Sequence, residues 1–311
     1  MLCKNWQKVF FIFCVLTFVS FSQAAPCYDG FDLKPHLYFK DLDNDGLYNY
    51  EDPDIDGDGV LNFLDIDACN KDVVGEDKDQ DGILDHLDFE VFGKRKNHIT
   101  SQMISIQKEF WNNGIYIIEK EKEWKEEELQ WIVDEVLQRL QHFNIRNFIL
   151  VKEEGRKGQF GRFRPQERAI FITAHPRLSE QNCFQATLVH EFFHLYSKEY
   201  PKTYEDFYKY VGWLLIEKDG KTLYQYGDDQ FSTEDFAKKK KYIDEKIQSN
   251  DFPSSYSKLG PKEMFSEVAA ASFMLFKNVP TDQGKICKTY DLNSFQSSSA
   301  FEWFSHNLSG I

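Results

Sequence analysis

Three copies of Asp-x-Asp-x-Asp-Gly, at residues 41–46, 54–59 and 77–82, constrain this chain more than any other feature. Alternate Asp side chains at loop positions 1, 3 and 5 converge on one point, and the Gly that follows permits a sharp turn. That is the arrangement a hard cation such as Ca²⁺ requires to collect six to eight oxygens. Position 9 is Asn49, Asn62 or Asp85 and position 12 is Asp52, Asp65 or Asp88, each able to supply further oxygens directly or through water. The expected calcium ligands are therefore Asp41, Asp43, Asp45, Asn49 and Asp52 in the first loop. They are Asp54, Asp56, Asp58, Asn62 and Asp65 in the second, and Asp77, Asp79, Asp81, Asp85 and Asp88 in the third. The Asp-Gly spacing is too regular for a solvated acidic linker.

Charge has the same address. Between Asp41 and Asp88 there are 17 Asp and Glu against Lys71 and Lys78, which accounts for the whole net charge of −14. The acidity thus belongs to one segment and says nothing of a cationic partner for the rest. Helices on both sides of each loop, as in an EF-hand, are excluded by the close spacing and by Pro53 between the first two loops. Residues from roughly 36 to 90 resemble thrombospondin type 3 repeats. That resemblance implies a chain wrapped around calcium with almost no core of its own, in which Leu47, Val60, Leu61, Ile83 and Leu84 make small contacts between loops.

The N-terminal residues read as an export signal. Lys4 and Lys8 precede an apolar run from Val9 to Phe21, and Ser22-Gln23-Ala24 offers small residues for cleavage after Ala24. The run is shorter than the roughly 20 residues of a membrane helix. An uncleaved anchor is the alternative. No later run is long enough to span a bilayer, so a secreted protein, periplasmic or extracellular, is expected. Of six cysteines, Cys3 and Cys14 fall in the signal. Cys27, Cys69, Cys183 and Cys287 remain, and their segregation favours Cys27 with Cys69 and Cys183 with Cys287 among the possible pairings.

From about Ile99 the composition turns to mixed charge with many aromatics. Strands are expected at Gly114 to Ile118, Asn147 to Lys152 and Arg168 to Thr173, and an amphipathic helix at Glu126 to Gln141. Leu178 to Tyr200 reads as a long helix carrying His190-Glu191-Phe192-Phe193-His194. Two histidines four apart share a helix face, so both imidazoles can reach one zinc ion, while Glu191 is placed to act as general base on a metal-activated water.

The third ligand decides the class. Leu195-Tyr196-Ser197 follows His194, which excludes the glycine and third histidine of a metzincin. A later helix opening at Pro261 offers Glu263 and Glu267, four apart on one face. One can bind zinc while the other holds a ligating histidine through its free ring nitrogen.

The segment from Ser255 to Glu267, together with the His190 to His194 motif, resembles the catalytic domain of the anthrax lethal factor family of zinc peptidases. The resemblance implies that Glu263 is the third zinc ligand, Glu267 a carboxylate behind it, and Tyr256 a hydroxyl donor to the oxyanion. It extends loosely over residues 99–311. The chain departs from that family in a longer interval between His194 and Glu263, in the calcium array, and in lacking large accessory domains, so substrate preference does not carry over.

Other features carry less. Trp213 to Tyr224 reads as a hairpin turning at Asp219-Gly220. His175, before Pro176, suits a structural or substrate-lining role. Arg156, Lys157, Arg162, Arg164 and Arg168, interleaved with Phe160 and Phe163, suit an exposed loop near the cleft; no nucleic-acid fold signature accompanies them, so no nucleic-acid partner is expected. Arg168 to Thr173 is a candidate sheet edge where an extended peptide could add as a strand.

The expectation is an α+β chain: signal peptide 1–24, calcium repeats 25–98, and a zincin-like metallopeptidase domain 99–311. It would hydrolyse protein or peptide substrates with catalytic Zn²⁺ held by His190, His194 and Glu263, and with structural Ca²⁺. The rival reading is a calcium-dependent adhesion or spacer protein with a non-catalytic zinc site. A calcium module that inhibits the enzyme is a third possibility.

Overall fold

Continuous apolar runs, buried on both faces, build the central sheet. The computed structural model describes residues 28–29, 32–62, 64–137, 141–156, 158–218, 221–226, 229–232, 252–254, 256–277 and 292–308. The signal segment, Cys27, Cys287 and the Asp219-Gly220 turn lie outside the described residues.

Two short hairpins bracket the acidic segment: β1 (Tyr28–Asp29) with β2 (Asp32–Leu33), and β3 (Glu90–Val91) with β4 (Lys94–Arg95). The central sheet has β5 (Ile115–Glu119), β6 (Phe148–Glu153) and β8 (Ala169–Thr173) parallel, with β7 (Gly161–Arg164) antiparallel beyond β8. Each expected strand begins one residue later than the sequence suggests. Gly114, Asn147 and Arg168 all have φ between +50° and +70°, a left-handed conformation that cannot continue a strand. Arg168 is held there by its guanidinium, which donates to the carbonyls of Asn147 and Arg146 and pairs with Glu199.

The structure corrects the expected sheet edge. Ala169–Thr173 is interior, paired on both sides, and the outer strand beyond it is β7. This strand escaped notice because its residues, Gly-Arg-Phe-Arg, read as a polar loop. Phe163 turns toward the core, while Arg162 stacks 4.0 Å from the Phe171 ring centroid on the opposite face. The arginines are spent within the fold: Arg162 grips Glu153 in a two-pronged pair, and Arg164 lies 3.6 Å from Glu167.

Helix α1 (Ser101–Asn112) is capped by Thr100, whose hydroxyl accepts from Met103 N. Helix α2 (Glu126–Trp131) gives way to a π-helical turn, Ile132–Leu137, so the expected helix to Gln141 is interrupted. Pro176–Ser179 forms a separate 3-10 turn, and α3 (Gln181–Glu199) starts after it. Then come α4 (Pro201–Tyr210), a meander of β9 (Trp213–Lys218), β10 (Lys221–Tyr226) and β11 (Asp229–Ser232), α5 (Pro261–Phe276) and α6 (Ser299–Asn307). The pairing of Lys218 with Lys221 leaves a two-residue connection, as the hairpin reading expects.

Both sheet faces are covered. Ile115, Ile117, Phe148, Leu150, Ile170 and Ile172 face the helices. Ile118, Ile149, Val151, Ala169 and Phe171 face the other way and are packed by Val60, Leu61, Leu64 and Leu87 of the acidic segment. Val60 and Leu61 therefore serve the sheet, beyond the contacts between loops expected of them. The acidic segment's own apolar cluster is small, centred on Leu33 and Ile55. Helices α3 and α5 pack together, with the ring centroids of Phe193 and Phe265 5.5 Å apart, and Ala269, Ala270 and Ala271 of α5 are fully buried.

The architecture is mixed, with helices and small sheets, in keeping with an α+β class. Among the described residues no helix is long and apolar enough to cross a membrane. Cys69 and Cys183 are both disulfide-bonded, and the partners expected for them lie outside the described residues.

Candidate functional site

Helix α3 presents His190 and His194 one turn apart, and the first turn of α5 brings Glu263 against them. His190 Nε2 and His194 Nε2 are 3.1 Å apart, and each is 3.3 Å from Glu263 Oε2. Ligands at 2.0–2.1 Å from a tetrahedral ion lie about 3.3 Å from one another. The triangle therefore has the dimensions of three zinc ligands. Glu263 Oε2 is buried without a hydrogen-bond partner, as an atom reserved for a ligand would be.

Electrostatics agree with a cation at this point. Burial disfavours charge on His190, but Glu263 and Glu267 outweigh it and hold the imidazole pKa well above its ordinary value. Burial likewise opposes ionisation of Glu263, and the two histidines overcome it and keep the carboxyl far below its usual range. A cation held here would supply the positive charge that these carboxylates favour. Burial pushes the Glu191 carboxyl up, with His190 and His194 pulling against it. A raised carboxyl suits a group that takes and returns a proton.

Behind the triangle, His190 Nδ1 lies 2.8 Å from Glu267 Oε1, an ion-pair contact whose angle falls outside strict hydrogen-bond geometry. Glu267 is 6% exposed, and its other oxygen accepts from Ser254 Oγ. Ser254 in turn accepts from Tyr256 N at 3.2 Å and Ser257 N at 3.1 Å. The loop bearing Tyr256 is thus tied through one hydroxyl to the carboxylate that orients His190. Sequence reasoning missed Ser254; its signal is a Ser two residues before the Tyr and three before another Ser, a side-chain turn pattern.

Tyr256 borders the cleft with its ring centroid 5.8 Å from that of His190. Burial, and then Glu263, Glu191 and Glu267, push its phenol up, so it keeps its proton and remains a donor. His175 stands apart from this site: its Nδ1 accepts from Arg177 N and its ring packs on Phe160 at 4.4 Å, a structural placement.

The cleft has a volume of about 980 Å³ and is walled by β7 on one side and by the loop carrying Tyr256 on another. Gly161, also missed in the sequence, is where β7 crosses the site: a Cβ there would sit 2.9 Å from Glu191 Cγ and 3.0 Å from Thr187 Cγ2. Only glycine lets the strand run this close to the carboxylate.

In the acidic segment, Asp41, Asp43 and Asp45 converge, as do Asp54, Asp56 and Asp58, and Asp77, Asp79 and Asp81. Each group offers three carboxylate oxygens within 4.8 Å of one another. Unpartnered buried oxygens occur in every loop: Asp41 Oδ1 and Asp52 Oδ2; Asp56, Asp58 and Asp65 Oδ2; Asp77 and Asp79 Oδ1 with Asp88 Oδ2. Positions 1, 3 and 5 and position 12 therefore fit a cation. Position 9 is placed differently. Asn49 Oδ1 accepts from Leu42 N, Asn62 Oδ1 from Ile55 N and Asp85 Oδ1 from Lys78 N, while Asp85 Oδ2 takes the Lys78 ammonium. These oxygens clamp the loop backbone, so Asn49, Asn62 and Asp85 close the loops.

No protein-family model matches the chain, and comparison with curated proteins and with solved structures finds no match either.

Proposed function

We infer that this chain is an exported zinc-dependent endopeptidase with a zincin-like catalytic region of the lethal factor type, preceded by a calcium-stabilised repeat module. The observation that carries this reading is the convergence of His190 Nε2, His194 Nε2 and Glu263 Oε2 beside the buried Glu191 at the floor of an open cleft.

Zinc, when bound by those three atoms, supplies Lewis acidity that polarises a carbonyl and lowers the pKa of water. The chain's own groups do the rest. Glu191 accepts the proton of the attacking water on its carboxylate and later delivers it to the leaving amine. Tyr256 donates its hydroxyl proton as a hydrogen bond to the oxygen that becomes negative when the carbonyl is attacked. Glu267 fixes the ring of His190 from behind, and Ser254 fixes Glu267. As an outer strand of the sheet among the described residues, β7 offers an extended peptide a backbone to pair with as it passes Glu191.

Calcium binding by the three Asp loops is part of the same reading, supported by the buried carboxylate oxygens left without partners in each loop. The test is incubation of the mature protein with a denatured proteome, with and without a zinc chelator. Chelator-sensitive new peptide termini are expected; the same set of termini in both arms would refute the zinc reading.

A further inference from the structure

The outward face of the central sheet is as dry as its core: Ile149 is 1% exposed, and Val151, Ala169 and Phe171 are 0% exposed. Its cover includes Val60, Leu61 and Leu64 from the second acidic loop and Leu87 from the third. These four side chains come from the halves of the loops that follow the Asp-Gly turns. If they left, the face would become an apolar patch in water, which a stable sheet does not tolerate.

The cover hangs on the carboxylates themselves. Asp54 Oδ2 accepts from Gly59 N at 2.9 Å, Asp58 Oδ1 from Val60 N at 2.7 Å, and Asp81 Oδ1 from Ile83 N at 3.0 Å. Asp56 and Asp88, 6% and 8% exposed, each keep an oxygen with no hydrogen-bond partner, as do Asp58 and Asp65. Carboxylates crowded in this way repel one another and are costly to desolvate unless a cation joins them. The third loop is also sewn to α1: the fully buried Gln107 accepts from Phe89 N at 2.9 Å and donates to Leu87 O at 2.8 Å, and Lys108 Nζ lies 2.8 Å from Asp81 Oδ2.

The sheet leads directly to the cleft. Strand β8 is backed by this cover through Ala169 and Phe171 and carries β7 on its far side, and Gly161 of β7 touches Glu191. We propose that calcium in the second and third loops gates formation of the central sheet and its cleft, by holding Val60, Leu61, Leu64 and Leu87 on the sheet's outer face. The loops then act as the missing layer of the catalytic region, and calcium controls it without approaching the zinc site. The effect on hydrolysis rests on the peptidase reading above; the effect on the sheet does not.

The experiment uses the full mature chain at fixed free zinc, with free Ca²⁺ set by a calcium-selective buffer. Hydrogen exchange is followed in residues 54–88, 148–153 and 169–173 alongside peptide hydrolysis. Protection of β6 and β8 is expected to fall in the same calcium titration as that of the loops, with hydrolysis dropping tenfold or more. Leu64→Ala, which leaves every acidic side chain in place, is expected to raise the calcium concentration at the midpoint at least threefold. Retained protection in β6 and β8 after the loops have lost theirs would overturn the proposal, as would calorimetry detecting no calcium bound. Calcium-dependent protection without hydrolysis at any calcium level would uphold the coupling and count against the peptidase reading instead.

Discussion

Gly161 and Glu191 touch: the backbone of the edge strand runs so close to the carboxylate that a Cβ on Gly161 would lie 2.9 Å from both Glu191 Cγ and Oε1. A methyl group there must displace the group assigned as general base. G161A is therefore expected to lower kcat by roughly 10- to 100-fold with a normal circular dichroism spectrum, since about an ångström of misplacement costs that much in a positioned reaction. A rate within twofold of wild type would show that the contact has no bearing on catalysis.

Glu267 stands behind His190, with Oε1 2.8 Å from Nδ1. Carboxylates in this position orient the ligating ring, and their loss weakens metal binding about 10- to 100-fold. Competition with a chromophoric chelator should show that drop for Glu267→Ala. Zinc affinity equal to wild type would remove Glu267 from the site's machinery.

Ser254 joins Glu267 to the backbone of the Tyr256 loop. Ser254→Ala removes the hydroxyl that serves a buried carboxylate oxygen and two N–H groups, at a cost of about 1–3 kcal/mol. Chemical denaturation measures this directly, and kcat should fall with it because the Tyr256 loop loses its anchor. A variant as stable and as active as wild type would contradict the link.

The legible features were those whose partners lie close in sequence. His190 and His194 share a helix turn, Glu263 and Glu267 share another, and each Asp loop lies within twelve positions, so spacing finds these groups, while the choice of Glu263 over Glu267 came from the family resemblance. Strand β7 was hidden because Arg162 and Arg164 read as solvent-facing, whereas both guanidiniums lie over Phe171 and pair with Glu153 and Glu167. Leu64 and Leu87 gave no hint that they cover Ile149 and Val151, because that contact joins segments far apart in the chain. The backbone hydrogen bonds made at position 9 of the loops were not legible for a different reason: the same Asn or Asp oxygen can face an ion or cap a backbone N–H, and the sequence does not say which.

Protons and calcium should compete for the loops. Burial pushes Asp65 and Asp88 from 3.8 up to about 6 in the calcium-free protein. Between those values the folded chain holds protons that the unfolded chain has released. The calcium-free fold therefore gains stability as pH falls through 6 and loses it as pH rises. Calcium needs both groups ionised, so its affinity should weaken below about pH 6 with protons released on binding. Calorimetry at about pH 5 and about pH 7.5 checks this, and equal affinity at the two values would refute it.

The most direct test of the peptidase assignment compares peptide hydrolysis by the wild-type protein and by Glu191→Gln at matched zinc content. Glu191 is not among the three converging ligand atoms, so the variant should bind zinc stoichiometrically. Loss of the general base should lower hydrolysis by roughly 10²- to 10⁴-fold. Equal rates at equal zinc content would contradict the assignment.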